Sequence, residues 1–339
     1  LRYSIQAILI NQLNLFKEQD RLEKLRQWSS DPNAYATLQP TLCYFDHPHG
    51  YLAYRRVLAG NVVLGDPIAK PGKIEELFAD FLKAYPTSVF GYLSETAAAA
   101  LARVGKQPIH FVRIGVERCV NLTDQAPFSG SISGALKKAG KANLQLVERD
   151  LSRISADELA QLRQINEQFI SLSQSKKEIG FISRAMRFEP EPDVRFFVIQ
   201  AGAEGKPIGF LVLDPWYEGS RLQGYQLHQF RLGPTKVWGV FLSVVAMLIQ
   251  LLSGEGFSRL SLGGGIGRVG SDEEMIPRSW IYDYCRDATF YLIDRFHSLT
   301  NLSRNKFEFA GTDLNRYLAA PHWLPLVPLV RLARANNIF

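Results

Sequence analysis

Apolar residues recur at helical spacing at Leu9, Leu13 and Phe16, with charges running through KEQDRLEKLR, and this predicts a helix that Ser30-Asp31-Pro32-Asn33 stops. The pattern then changes to short aromatic or β-branched runs, Cys43-Tyr44-Phe45, Gly50 to Tyr54 and Asn61 to Leu64. Turn residues bound them at His47-Pro48-His49-Gly50 and Ala59-Gly60, so they predict an antiparallel meander. A helix over Ile74 to Ala84, a strand over Ser88 to Tyr92, and a helix over Glu95 to Val104 with Ser94 as N-cap come next. Strands are expected around Phe111 and from Arg118 to Leu122.

From Leu151 the pattern restarts. Ser155-Ala156-Asp157-Glu158 is a capping box heading a helix with Leu159, Leu162, Ile165 and Phe169 on one face. Strands over Phe196 to Gln200, Ile208 to Leu213 and Tyr225 to Phe230 precede an apolar run from Val237 to Leu252, and Arg259 to Leu262 reads as the next strand. The apolar run is shorter than the roughly 20 residues a bilayer demands and contains Gln250, so a buried helix is expected. The expected fold is α/β with two tandem halves, 1–146 and 147–339, each a mixed, mostly antiparallel sheet flanked by helices. A helix between strands, followed by a strand ending in glycines, suits a GNAT core, in which a splayed sheet presents backbone donors to an acyl carrier.

Composition narrows the setting. The 339 residues are 46% hydrophobic, enough for a sizeable core in both halves. Three scattered cysteines, Cys43, Cys119 and Cys285, give neither a disulfide framework nor a zinc ribbon and point to a reducing compartment. No signal peptide is visible in the opening residues, and a cytoplasmic location is expected. The net charge of +6 favours an anionic partner, whether a phospholipid surface, tRNA or a phosphate-bearing cofactor.

Several motifs invite chemistry and fail its requirements. Gly265-Ile266-Gly267-Arg268-Val269-Gly270 spells G-x-G-x-x-G after a strand, but the residues that follow promise at most one helical turn, and the βαβ context is absent. His47-Pro48-His49 lacks further ligands at metal-binding spacing, so a polar turn is expected and no metal. No P-loop or G-x-S-x-G elbow occurs. Lys137, Lys138 and Lys141 follow the Ser/Gly-rich stretch Phe128 to Gly134; this is either a phosphate cradle or a solvated helix face.

The order of the pieces resembles the C-terminal domain family of the phosphatidylglycerol lysyltransferases over roughly residues 25 to 325. Similar motifs are Leu38-Gln39-Pro40 to Tyr44-Phe45, Gly50-Tyr51-Leu52-Ala53-Tyr54 and Leu64-Gly65-Asp66-Pro67. So are Phe111 to Glu117, Tyr225 to Arg231, Leu262-Gly263, and Asn301 to Phe307. His228 stands where the family carries an aspartate, and the first lysine of the family's pair before Lys306 is absent.

The resemblance implies a tandem GNAT fold, an aminoacyl-tRNA donor, a phospholipid or small amine or hydroxyl acceptor, and neither cofactor nor metal. It implies Arg231 and Lys306 as groups that stabilise the oxyanion or hold the donor's phosphate. His228 is either a general base or a satisfied strand histidine, and Asp66 either a catalytic group or a turn residue before Pro67. Glu117, Lys137, Lys138, Lys141, Gly263 and Gly264 complete the candidate substrate-binding set. Two rivals stay open. One is an acyl-CoA-dependent or acyl-carrier-dependent GNAT enzyme; the other is a non-catalytic membrane-surface module using the tail Pro321 to Arg334, which otherwise packs on the second half.

Overall fold

The expected meander forms as β1 (Cys43–His47), β2 (Gly50–Val57) and β3 (Gly60–Leu64). The computed structural model describes residues 16–105, 108–124, 127–172, 177–178, 180–266, 304–322 and 325–337. Leu9 and Leu13, proposed for the first helix, and Cys285 lie outside these; the helix is seen over 16–28 (α1) and ends before Ser29-Ser30. Leu58 and Ala59 both take left-handed backbone angles, the geometry a two-residue hairpin needs to match strand twist.

The chain continues through β4 (Ile68–Ala69), α2 (Ile74–Ala84), β5 (Val89–Leu93), α3 (Glu95–Val104) and β6 (His110–Asn121). Ser94 caps α3, its hydroxyl accepting from the Ala97 amide. The segments around Phe111 and Arg118 form one long strand rather than two. Then come α4 (Gly130–Lys141), β7 (Gln145–Arg149) and α5 (Ala156–Leu172). The Glu158 amide donates to Ser155 Oγ as the capping box requires, while the Glu158 carboxylate turns to Arg149. Strands β8 (Arg195–Ala201), β9 (Lys206–Glu218) and β10 (Arg221–Leu232), helix α6 (Val240–Gly254), β11 (Arg259–Ile266), β12 (Thr312–Ala320) and α7 (Leu326–Ala335) complete the order.

Two differences from expectation have local causes. Helix α6 starts at Val240 rather than Val237 because Gly239 sits in the left-handed region at φ 71°, which no helical turn can include. Residues 130–134, part of the Ser/Gly-rich stretch offered as a phosphate cradle, are the first turns of α4, and the helical bonds begin with the Ser133 amide donating to the Ser129 carbonyl.

The strands join one sheet in the order β1-β2-β3-β5-β12-β6-β11-β10-β9-β8-β7, with β4 beside β2. Among the described residues only β3 with β5 and β10 with β11 pair in parallel. Each therefore closes the same unit: antiparallel strands, a crossover helix, and a strand returning beside the last of them. The division at 146/147 falls within β7, which pairs with β8. Strands from opposite ends of the sequence weld the units: β12 inserts between β5 and β6, and β6 in turn reaches β11.

Helices cover both faces. Helices α2 and α3 pack on Leu52, Val63, Phe90 and Leu93, while α1 and α7 cover Tyr51, Val62 and Val89 on the opposite face. In the second unit α5 packs on Phe196, Val198, Phe210 and Val212, and α4 with α6 on Leu211, Leu213 and Leu227. Helix α6 is buried almost all round, as its unbroken apolar run requires. The tail packs as α7 against β2, β3 and β5, hence on the first unit rather than the second as expected, and leaves Leu326 and Val327 exposed. No helix among the described residues is long and apolar enough to cross a membrane.

Candidate active site

Strands β10 and β11 run side by side from Gly224/Arg259 to Gln226/Ser261 and then part. Beyond that point β10 follows β9 to Leu232, while β11 follows β6 to Ile266. The parting is sharpened at Gly263, whose φ of 75° and shifted register form a bulge that a side chain would resist. A wedge lined by backbone groups results, of the kind that can receive an extended acyl donor.

Lys306 fills the throat of this wedge. Its Nζ donates to the Gly264 carbonyl at 3.0 Å and lies 3.3 Å from where a Cβ on Gly263 would stand. Burial, only partly offset by the charge of Glu117, pushes the ammonium down to about 8, so at neutral pH it is still mostly a cation.

Behind Lys306 lies a buried polar cluster built on Glu117. One carboxylate oxygen accepts from Gln226 Nε2 at 2.9 Å and from Ser261 Oγ; the other accepts from Tyr92 OH at 3.1 Å and from Arg316 Nε and Nη2 at 2.9 and 2.6 Å. Burial would raise this carboxyl, but Arg316, Ser261 and Gln226 outweigh it and hold Glu117 below the usual range. Five donors leave no lone pair for a ligand, so Glu117 acts by orienting its partners. Arg316 also donates to Asp31 through Nη1. Although burial opposes the charge, Asp31 and Glu117 hold this guanidinium firmly protonated.

Tyr92 reaches into the cluster from the first unit. Its backbone is held at φ 68°, a costly conformation for an aromatic residue, and its ring stacks under the Arg316 guanidinium at 4.8 Å. The phenol oxygen occupies the space that a Cβ on Gly264 would need. Gly264→Ala should therefore cost about 1–3 kcal/mol in urea unfolding, as overpacking does. Removing the hydroxyl with Tyr92→Phe in the same chain should recover part of that loss, and equal stability of the single and double variants would refute the contact.

The corresponding parallel pair of the first unit is shut. Past Leu64/Gly91, Asp66 accepts from the Ser94 amide at 2.8 Å and from Ser94 Oγ at 2.6 Å, tying the end of β3 to the start of α3. Burial raises Asp66 despite Arg316 nearby, and the Gly65 amide donates to the Gly91 carbonyl at 2.8 Å, which keeps the pair together past Leu64. Asp66 is thus a structural cap in its contacts, and the second unit carries the open cleft.

Of the candidate residues, Lys306, Gly263, Gly264 and Glu117 come together, with Asp66 joined to them only electrostatically through Arg316. His228 is apart. Its Nε2 donates to the Arg184 carbonyl at 3.0 Å, Nδ1 lies 3.4 Å from Asp214, and burial pushes the imidazole down to about 4, leaving it neutral. Asp214 is directly opposite Gln226 and takes the Arg184 fork, whose other arm holds Glu191 at 2.6 Å. The Arg184 carbonyl thus takes the one proton of the neutral ring, and Nδ1 has none to offer Asp214.

Arg231 points to α5: its Nη2 donates to Glu178 at 3.0 Å and its guanidinium lies 4.4 Å over Phe169. Burial lowers its pKa, and its Nε is buried with no hydrogen-bond partner among the described residues. Lys137, Lys138 and Lys141 line the exposed side of α4. Elsewhere, His47 and His49 each pair with a separate carboxylate of α2, Asp80 at 3.3 Å and Glu76 at 3.2 Å. Among the described residues no three ligating side chains are grouped for a metal ion. Gly265 and Ile266 belong to β11, paired with Val116 and Gly115, so the glycine motif opens inside a strand; its remaining residues lie outside the described ones.

Sequence reasoning missed Arg316, Tyr92, Gln226, Ser261 and Asp31. None carries a local signal, because strand exchange brings them together from five separate segments.

Comparison with known proteins gives a consistent picture. The family described as phosphatidylglycerol lysyltransferase, C-terminal, matches residues 23–320. The structure of L-PGS from Bacillus licheniformis superposes with a TM-score of 0.75 at 16% identity, covering 94% of this chain and 96% of that one. The C-terminal domain of a putative lysylphosphatidylglycerol synthetase from Agrobacterium fabrum gives 0.73 at 17% identity, with 95% of each chain covered. A conserved protein of unknown function from Bacteroides thetaiotaomicron gives 0.57 at 9%, covering 89% of this chain and 97% of that one. No curated protein sequence matches.

Proposed function

Since this chain belongs to the phosphatidylglycerol lysyltransferase C-terminal domain family, whose members are acyltransferases, we propose that it moves an aminoacyl group from charged tRNA to the hydroxyl of an anionic phospholipid. The supporting observation is a buried ammonium, Lys306, in the throat of the one parallel strand pair that opens.

The reaction needs no covalent enzyme intermediate. The lipid hydroxyl oxygen attacks the ester carbonyl carbon, negative charge gathers on the carbonyl oxygen, and the carbon–oxygen bond to the ribose breaks. The proton lost by the lipid hydroxyl ends on the ribose hydroxyl. Lys306 stabilises the transient oxyanion from a site where water is scarce and its charge counts for more than in bulk solvent. Arg231, paired with Glu178 and with an Nε that is unpaired among the described residues, is a second cation, on the α5 side of β10 and apart from Lys306, that suits the donor's terminal phosphate. With the donor in the cytoplasm and the acceptor in the bilayer, the protein works at the inner membrane face.

The test supplies the purified chain with tRNA carrying a radiolabelled amino acid and with phosphatidylglycerol vesicles. Label should move to the lipid fraction and should be lost when the tRNA is treated with ribonuclease. Transfer supported by acetyl-CoA and unaffected by ribonuclease would instead establish a thioester-dependent enzyme.

A further inference from the structure

An exposed tryptophan stands beside the wedge among lysines. Trp238 is 58% exposed and lies on the loop that leads from the end of β10 into α6. The Lys138 ammonium sits 3.9 Å from its ring centroid. Gly239 pins this loop to α4, since a Cβ there would press on Ala135 at 3.0 Å. Lys137, Lys141 and Lys236 are exposed on the same two segments, and neither α4 nor α6 has an acidic residue in its first turn.

The platform adjoins the reacting group. Ser131 at the start of α4 donates to Glu308 at 2.6 Å, and Phe128 meets Phe309 edge-on at 6.5 Å, so α4 touches the segment that carries Lys306.

We infer that Trp238 is a stacking platform for an unpaired base at the 3′ end of the RNA donor, with Lys137, Lys138, Lys141 and Lys236 holding its backbone phosphates. An aromatic face in a basic groove takes single-stranded nucleic acid without regard to sequence. The ring is fixed in advance by the Lys138 contact, which reduces the ordering cost of binding. A bilayer fits this surface less well. Trp238 is the one large exposed apolar side chain on these segments, among the described residues, whereas Leu58, Leu326 and Val327 are exposed on the β2–β3 hairpin and α7 of the other unit. This assignment rests on the tRNA-donor reading above and names the residue that would recognise the donor's single-stranded end.

The test compares an RNA hairpin carrying four unpaired 3′ nucleotides with the same hairpin made blunt, binding each to the full chain by fluorescence anisotropy. The native protein should prefer the overhang by about tenfold, the effect of one stacked base. Trp238→Ala should abolish the preference, Trp238→Phe should keep most of it, and Lys141→Met, which leaves the Lys138 contact with the ring in place, should weaken both hairpins alike. Circular dichroism confirms that the exposed substitution leaves the fold intact.

A Trp238→Ala protein that still prefers the overhang would overturn the assignment and leave the donor reading standing. Failure of native protein to bind either hairpin would overturn both. Loss of binding to phosphatidylglycerol vesicles in Trp238→Ala, with RNA binding unchanged, would overturn it in favour of membrane contact.

Discussion

Lys306→Met should slow transfer sharply while making the fold more stable at neutral pH. The loss of activity follows from removing the cation that fills the throat of the wedge among the described residues, and a drop of roughly 10²–10³ in kcat is expected for a donor aimed at an oxyanion. The gain in stability follows from where that cation sits. An ordinary lysine holds its proton up to 10.5, and burial brings Lys306 down to about 8, so below that pH folding must carry a charge into a site that disfavours it. The gap corresponds to about 3 kcal/mol. Methionine forfeits the bond to the Gly264 carbonyl, worth about 1 kcal/mol, so a net gain on the order of 2 kcal/mol remains.

The sign has a signature in pH. Between about 8 and 10.5 the unfolded chain binds this proton and the folded chain does not, so native stability rises with pH across that window. Subtracting the urea stability of Lys306→Met, measured over the same range, isolates this contribution from other groups that titrate there. A variant that transfers normally would remove Lys306 from the chemistry. One that loses stability at pH 7 would show that the ammonium is a structural contact.

The first unit was largely legible because its signals are local. The Ser94 cap, the turn at His47 to Gly50, the one read at Ala59-Gly60 that forms a residue earlier at Leu58-Ala59, and the aromatic run of β2 each depend on a few adjacent residues. The second unit announced itself through the Ser155 cap and the apolar run of α6. The strand exchange was not legible, since nothing in Thr312 to Ala320 says that it will lie between β5 and β6 rather than beside β11. Lys306, Gly263 and Gly264 could be found by motif, but the reason they belong together could not. Their partners Tyr92, Gln226 and Arg316 look in sequence like ordinary strand residues. His228 shows the converse: an isolated histidine on a strand reads as a candidate base until its neighbours Arg184 and Asp214 are known.

Arg316→Met should be the most damaging single change to the fold, at about 3–5 kcal/mol in urea unfolding. Arg316 has no exposed surface, and its two arms satisfy Glu117 and Asp31 at once while its charge also reaches Asp66. Lysine could not replace it, because a single ammonium lacks the fork that bridges the two carboxylates. With methionine there, Asp31, Asp66 and Glu117 are left to repel one another, and Lys306 still offsets Glu117. In the native chain burial already raises Asp66 and brings Asp31 up to about 7, and Glu117 alone is held low. Without Arg316 all three favour their protonated forms more strongly, so the folded variant binds still more protons than the unfolded chain as pH rises above the usual carboxylate range. The variant should therefore lose stability with rising pH, whereas native Glu117, held low by Arg316, gives stability that is lost only in acid. The difference between native and variant should shrink between pH 7.5 and pH 5. A difference independent of pH would mean that the loss is one of packing, and that Arg316 does not neutralise the carboxylates on which Tyr92, Gln226 and Ser261 are organised.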